Sequence, residues 1–326
     1  MKIKGIEFNV NAGAGALGWW GEGYWYHKIY KRLIPSFKKT TETINFVAKT
    51  TTVDPRKGNL PLKEDYTPIE LFPKCIKVYP FRGMMLNAVN LSGPGFKKLL
   101  DTKKWQEMKR PAWGISFMPI GNSVTEMLYE TDSFRYWLLR AIDGGGFRSP
   151  FWIQLNVSCP NTEQNYYELI SGTMRILKTL KSLREELNLV VDLKINLLMP
   201  NTAIKRIWEE NLCDLLTISN TLKYGTVGFD LNWKKLFWWR KDSPLKKFGG
   251  GGLSGKPLFD AVCKKIISLR RENIHIPIKA SGGICSKERI RIIKICGADA
   301  IEFATAISLR PWRIYGMVKE ARKIFG

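Results

Sequence analysis

Eight short β-prone runs, at 46–49, 84–89, 112–117, 151–157, 190–195, 215–219, 277–280 and 300–303, alternate with longer amphipathic stretches along the chain. Between the fourth and fifth runs, Leu169, Ile170, Met174, Leu177, Leu180, Leu183 and Leu187 recur every three or four residues, which predicts one apolar helical stripe with charges elsewhere. Leu258, Val262, Ile266 and Leu269 repeat the pattern after Pro257, as do Ile290, Ile293 and Cys296 before the last run. Strands that alternate with helices require a parallel sheet, because a crossover helix is what returns the chain to pair in parallel. Eight such strands predict an α/β fold of the closed (β/α)8 type, a TIM barrel.

Two segments break the rhythm. Residues 59–81 are rich in proline and charge, and residues 223–252 hold Trp233, Trp238 and Trp239 and end in four glycines. Both read as insertions over the barrel mouth, where loops build sites. The aromatic cluster of the second suits a lid, a subunit interface or a docking surface. With no internal repeat and no linker, residues 1–326 read as a single domain.

In a parallel barrel the C-terminal ends of the strands converge on one face, so the polar residues that end each run form one candidate site. They are Lys49, Asn87, Asn156 with Cys159 and Asn161, Lys194, Asn220 with Thr221, Gly282 with Gly283, and Thr305. In the run Asn156-Val157-Ser158-Cys159-Pro160-Asn161-Thr162 a thiol stands between two carboxamides able to hold a polar planar ligand, on a turn stiffened by Pro160. The plainer alternative is a strand end whose asparagines cap the next helix. Asn11-Ala12-Gly13-Ala14-Gly15 offers small residues where a flat ring or phosphate can approach the backbone, or a flexible turn. Ser281-Gly282-Gly283 and Ala304-Thr305 follow the seventh and eighth runs, where barrels often bind phosphate on backbone amides; glycine as a turn former is the competing explanation. Lys49 and Lys194 end apolar strands. An inward lysine must find an anionic or strongly accepting partner or lose its charge, unless it snorkels to solvent.

A formal charge of +23 raises nucleic-acid binding, but Lys and Arg are spread along the chain, as on 178–184 and 287–294. Solvated helix faces explain them better than a nucleic-acid footprint, and the field still attracts anionic small molecules. The six cysteines form no Cys-x-x-Cys pair, which argues against a structural zinc site or a chain-borne iron-sulfur cluster, so no metal is expected. With His27 and His275 as the only histidines, a His-based triad is hard to build. The stretch 190–199 is cut by Asp192, Lys194 and Asn196 well short of the ~20 apolar residues of a membrane span. The first residues lead into no signal-peptide core, so a cytoplasmic protein with reduced thiols is expected.

Several of these loops together resemble the dihydroorotate dehydrogenase family, flavin-dependent (β/α)8 enzymes of pyrimidine synthesis. The likeness runs in order from about Asn11 to Trp312. It rests on Ala48-Lys49-Thr50-Thr51-Thr52 with Pro55-Arg56-Lys57-Gly58-Asn59, Asn87-Ala88 with Pro94-Gly95, and Asn156-Val157-Ser158-Cys159-Pro160-Asn161. It continues through Ser219-Asn220-Thr221, 251–258, Ser281-Gly282-Gly283-Ile284 and Thr305-Ala306. The resemblance implies FMN across the barrel mouth, its phosphate at Gly282, Gly283, Ala304 and Thr305 and its ring near Ala12, Gly13, Lys49, Thr50, Asn156 and Lys194, with Gly255 also lining it. It implies that Lys49, Asn87, Asn156, Asn161, Asn220 and Thr221 hold dihydroorotate and that Cys159 is the base. A thiolate would remove a proton from the ring carbon next to a carbonyl while the adjacent carbon delivers hydride to the flavin.

Cysteine at the base position resembles the soluble branch of the family, whereas 252–258 resembles the membrane-associated branch. The amino-terminal extension by which that branch docks to a bilayer is not seen, which favours a soluble electron acceptor. The chain departs from the family at 162–167, which lacks a glycine often found there, and at Asn90, where glycine is common. Three alternatives remain: a related flavin barrel acting on uracil or another dihydropyrimidine, a catalytic subunit that needs an iron-sulfur partner, and a basic barrel that binds nucleic acid without catalysis. A homo-oligomer is compatible with all three enzyme readings.

Overall fold

The computed structural model describes residues 1–157 and 166–326. Eight parallel strands close into a barrel in chain order: β1 (Val10–Ala12), β2 (Asn45–Val47), β3 (Trp113–Phe117), β4 (Phe151–Asn156), β5 (Val191–Ile195), β6 (Leu215–Ile218), β7 (Ile278–Ser281) and β8 (Ala300–Phe303). The fold is the expected (β/α)8 barrel, with one exchange of strands. The run at 84–89 forms Met84–Asn87 but lies outside the barrel, where β2 and β3 pair directly, and the eighth barrel strand is instead β1, between β8 and β2. Val10, Asn11 and Ala12, two of them in a segment that reads as a flexible turn, are too few to carry a period. Register across β8 and β2 selects them instead, with Asn11 opposite both Glu302 and Asn45.

Alternation along the strands explains what faces where. Ile153, Leu155, Leu193, Leu216, Ile218, Ile278, Ile301 and Phe303 point outward into one continuous apolar core with the surrounding helices. The intervening Gln154, Asp192, Lys194, Thr217, Lys279 and Glu302 hydrogen-bond to one another across the barrel axis. Below them Phe8 and Trp152 plug the barrel, their rings edge to face at 5.0 Å.

The expected crossover helices form as Tyr166–Glu186, Phe259–Arg271 and Lys287–Ile295. A further helix, Val124–Asp143, was not singled out by periodicity. Its start was nevertheless legible: Ser123 accepts a hydrogen bond from the Glu126 amide at 3.2 Å, and Ser-x-x-Glu is the capping-box spacing.

The two rhythm-breaking segments meet. Leu222–Lys223, Gly252–Gly255, Met84–Asn87 and Ile76–Tyr79 pair in that order as an antiparallel sheet over the barrel mouth. Leu86, Leu222, Phe237, Leu245 and Leu253 give it an apolar core of its own. Trp238 and Trp239, at its edge, stay exposed, with Arg82 stacked 4.2 Å from the Trp238 ring. Asn90, in the loop after Met84–Asn87, has φ +58°, a left-handed conformation that glycine takes freely and asparagine tolerates better than most residues. The departure from glycine therefore keeps the backbone path.

Candidate active site

Between the rim sheet and the C-terminal ends of the barrel strands lies a cleft of about 1880 Å³. A single ligand pocket commonly measures roughly 300–1,000 Å³, so there is room for two ligands side by side. Lys49, Thr50, Asn87, Asn156, Lys194, Asn220, Thr221, Gly255, Gly282, Gly283, Ala304 and Thr305 all line it. The convergence deduced from strand ends is thus realised, and the rim strand supplies Asn87 and Gly255 from above. Ala12 and Gly13 lie beneath the cleft rather than in its lining, with Ala12 fully buried. Cys159 and Asn161 lie outside the described residues.

A line of polar side chains crosses the mouth. The Thr221 amide donates to Asn220 Oδ1 at 2.8 Å, Asn220 Nδ2 donates to Asn156 Oδ1 at 2.9 Å, and Asn156 Nδ2 reaches Thr50 Oγ1 at 3.5 Å. Thr50 is joined to Ser116 at 2.9 Å. Each carboxamide is oriented by its neighbour, so the line presents a fixed pattern of donors and acceptors to a planar ligand.

Lys49 is held between the Ser92 carbonyl, to which it donates, and the Trp19 ring, 4.6 Å from its Nζ. Neither is an anion. Burial pulls its ammonium down to about 7, with the Cys75 thiol a weaker opposing influence. Lys194 differs: its Nζ sits 2.7 Å from Glu302 Oε1, so the anionic partner that an inward lysine demands is a protein carboxylate.

That carboxylate belongs to a network the sequence reading missed. Lys279 Nζ lies 2.7 Å from Asp192 Oδ2 and 3.3 Å from Glu302 Oε2, with all three side chains fully buried. Thr217 donates to Asp192 at 2.6 Å, and Gln154 donates to Asp192 at 2.8 Å and to Glu302 at 3.3 Å. Burial alone raises the Glu302 carboxyl, but the Lys194 and Lys279 ammonium groups outweigh it and hold the group at about 2. Lys279 is raised above its ordinary value by Asp192 and Glu302 against the opposing effect of burial. The signal was available: Asp192, Lys279 and Glu302 stand at alternating positions in apolar strands, as Lys194 does.

Glycine is required here for space as well as for approach. A Cβ on Gly13 would stand 2.8 Å from Glu302 Oε1, so Gly13 makes room for the network. Gly283 has φ +73°, and a Cβ there would meet the Phe259 amide nitrogen at 2.8 Å. Gly255 has φ +97° and would press a Cβ to 2.3 Å from the Gly83 carbonyl. Backbone at these points comes closer than any side chain allows, leaving the cleft wall flat. Ser219 Oγ, buried at the same wall, has no hydrogen-bond partner among the described residues. A wide flat cleft with fixed amides, two lysines and an unpaired hydroxyl fits an anionic planar cofactor beside a small polar substrate.

A family model described as dihydroorotate dehydrogenase matches residues 36–322. The chain belongs to the dihydroorotate dehydrogenase family. It is accordingly a flavin-dependent oxidoreductase acting on dihydroorotate in pyrimidine synthesis. Among its relatives are proteins named dihydroorotate dehydrogenase B (NAD(+)), catalytic subunit. The one from Streptococcus pneumoniae is 27% identical over 99% of this chain and 91% of its own length. The one from Oceanobacillus iheyensis is 27% identical over 74% of this chain and 72% of its own. A solved dihydroorotate dehydrogenase from Eimeria tenella, in complex with ferulenol, shares the fold at a TM-score of 0.64 and 17% identity, covering 100% of this chain and 87% of that one. No helix among the described residues is long and apolar enough to cross a membrane.

Proposed function

We propose that this chain oxidises dihydroorotate to orotate with FMN as its flavin, and that Cys159 is the base. The observation that carries the reading is the Asn156–Asn220 pair, hydrogen-bonded across the cleft floor between Thr50 and Thr221. Its carboxamides suit the alternating N–H and C=O groups of a pyrimidine ring. Asn87 and Asn161 complete the substrate shell, and Lys49 attracts the substrate carboxylate. The phosphate of FMN is placed at Gly282, Gly283, Ala304 and Thr305, where the glycine backbone is bare. Its ring would be held by Lys194, Lys49, Thr50 and Asn156, with Gly255, Ala12 and Gly13 nearby. FMN supplies a hydride acceptor. Cys159 removes the proton from the carbon beside the carbonyl, and the electron pair left behind forms the ring double bond as hydride departs from the neighbouring carbon. A free cysteine titrates at about 8.5, so thiolate is favoured by nearby cations or by mildly alkaline pH.

The absorbance spectrum of the purified protein, before and after anaerobic dihydroorotate, tests cofactor and substrate together. Flavin bands that bleach with dihydroorotate support the reading; bleaching by dihydrouracil alone would transfer the site to another dihydropyrimidine, and a colourless protein that takes up no added FMN would end it.

Lys49 gives this reading a pH signature. Held at about 7, it is protonated below that value and neutral above, with no carboxylate partner among the described residues. Affinity for orotate is therefore expected to fall as pH rises from 6 to 9, and Lys49→Met is expected to weaken binding at pH 6 and flatten the profile. Orotate titrations followed by the flavin spectrum measure both.

A second reading concerns the electron acceptor. The relatives' names describe catalytic subunits of an NAD(+) enzyme, which favours a partner subunit that carries electrons onward to a nicotinamide.

A further inference from the structure

Lys194 arrives at the cleft with its charge already matched. Its Nζ is 2.7 Å from one Glu302 oxygen, the other Glu302 oxygen is 3.3 Å from Lys279, and Lys279 is 2.7 Å from Asp192. Two ammonium groups thus face two carboxylates. Behind them the barrel is closed by apolar rings, with Lys279 Nζ 5.8 Å from Phe8 and 5.3 Å from Trp152. Glu302 and Lys194 both border the cleft. Charges in such surroundings are weakly screened and act strongly on a neighbouring ligand.

We propose that Glu302 and Lys279 set the reduction potential of the flavin by tuning the charge that Lys194 presents to it. The inference rests on the ring position given under the proposed function. A cofactor that gains negative charge on reduction is stabilised by an uncompensated cation and destabilised by an uncompensated anion. As built, the quartet offers neither. Removing the Glu302 charge leaves two ammonium groups against Asp192 alone, and the excess cation favours the reduced cofactor. Removing the Lys279 charge leaves two carboxylates against Lys194, and the excess anion favours the oxidised one. A purely structural network predicts loss of thermal stability in both variants without opposite movements of the potential.

The test is the midpoint potential of the flavin-loaded protein, wild type, Glu302→Gln and Lys279→Met, titrated anaerobically with dithionite as electron donor against redox dyes. Glu302→Gln is expected to favour the reduced cofactor at least tenfold, which is a positive shift of about 30 mV for a two-electron couple. Lys279→Met is expected to shift it negatively. Asp192→Asn, which lies beyond Lys279 from the cleft and keeps the side-chain volume and the acceptor for Thr217 that Asp192→Ala would lose, serves if either variant does not fold, with the sign of Glu302→Gln and a smaller size. Potentials that stay within a few-fold of wild type, or that move in the same direction in both variants, overturn the proposal. A wild-type protein that binds no flavin overturns the proposed function instead.

Discussion

Replacing Cys159 by alanine is expected to leave a yellow protein that dihydroorotate no longer bleaches. On the proposed reading the flavin rests on the glycines after β7, on Lys194 and on the wall below the rim sheet, none of which needs the thiol. Proton removal, as proposed, does need it, and a positioned general base typically contributes ~10²–10⁴-fold. Single-turnover reduction of the flavin, mixed anaerobically with dihydroorotate, is therefore expected to slow by about that factor, while orotate affinity changes little. Reduction at the wild-type rate would assign the base to another group. Among the described cysteines, Cys75 and Cys213 are poor substitutes, since burial pushes both thiols up and keeps them protonated.

Asp192→Ala is expected to be the most destabilising single change in the barrel. It removes the carboxylate that accepts from Lys279, Gln154 and Thr217, all within 2.8 Å, and leaves a fully buried ammonium short of its nearest partner. Breaking a buried pair from one side costs about 3–5 kcal/mol. For a chain of 326 residues that lowers the melting temperature by roughly 4–7 °C. A calorimetric shift below about 2 °C would show that water or a neighbour replaces the carboxylate. The same network sets an acid limit. Glu302 is depressed to about 2 from an unfolded value near 4.3, so its contribution is complete above the unfolded value and is lost as pH falls from there towards 2. Glu302→Gln is expected to flatten that part of the stability profile.

Much of the fold was legible because seven of the eight barrel strands are short apolar runs between helical stripes. Met84–Asn87 reads as a strand and is one, yet period and composition do not say which sheet a strand joins. The true first strand, Val10–Ala12, is too short for any period and is selected by pairing with β8 and β2. At the site, strand-end polar residues converged as expected, because the barrel topology brings those ends together whatever the loops do. The charged interior was not recognised. Lys194 was noticed as a cation in an apolar strand, but its partner Glu302, and Lys279, which joins Glu302 to Asp192, lie on strands far from it in sequence and become neighbours only when the barrel closes. Gly13 was read as a place where a flat ring or phosphate can approach the backbone, and its missing side chain also makes way for Glu302.

The roof of the cleft has a temporal consequence. Asn87 pairs with Gly252 and Met84 with Gly255, so the rim sheet joins two parts of the chain separated by four barrel strands. A nascent chain that has emerged through β6 can assemble most of the barrel wall, but its mouth still stands uncovered. Only when Gly252–Gly255 arrives does the wall facing Asn87 exist. Cofactor capture is thereby deferred to the last quarter of synthesis, when Gly252–Gly255 emerges and is followed by β7 and β8, whose pairing with β1 closes the barrel.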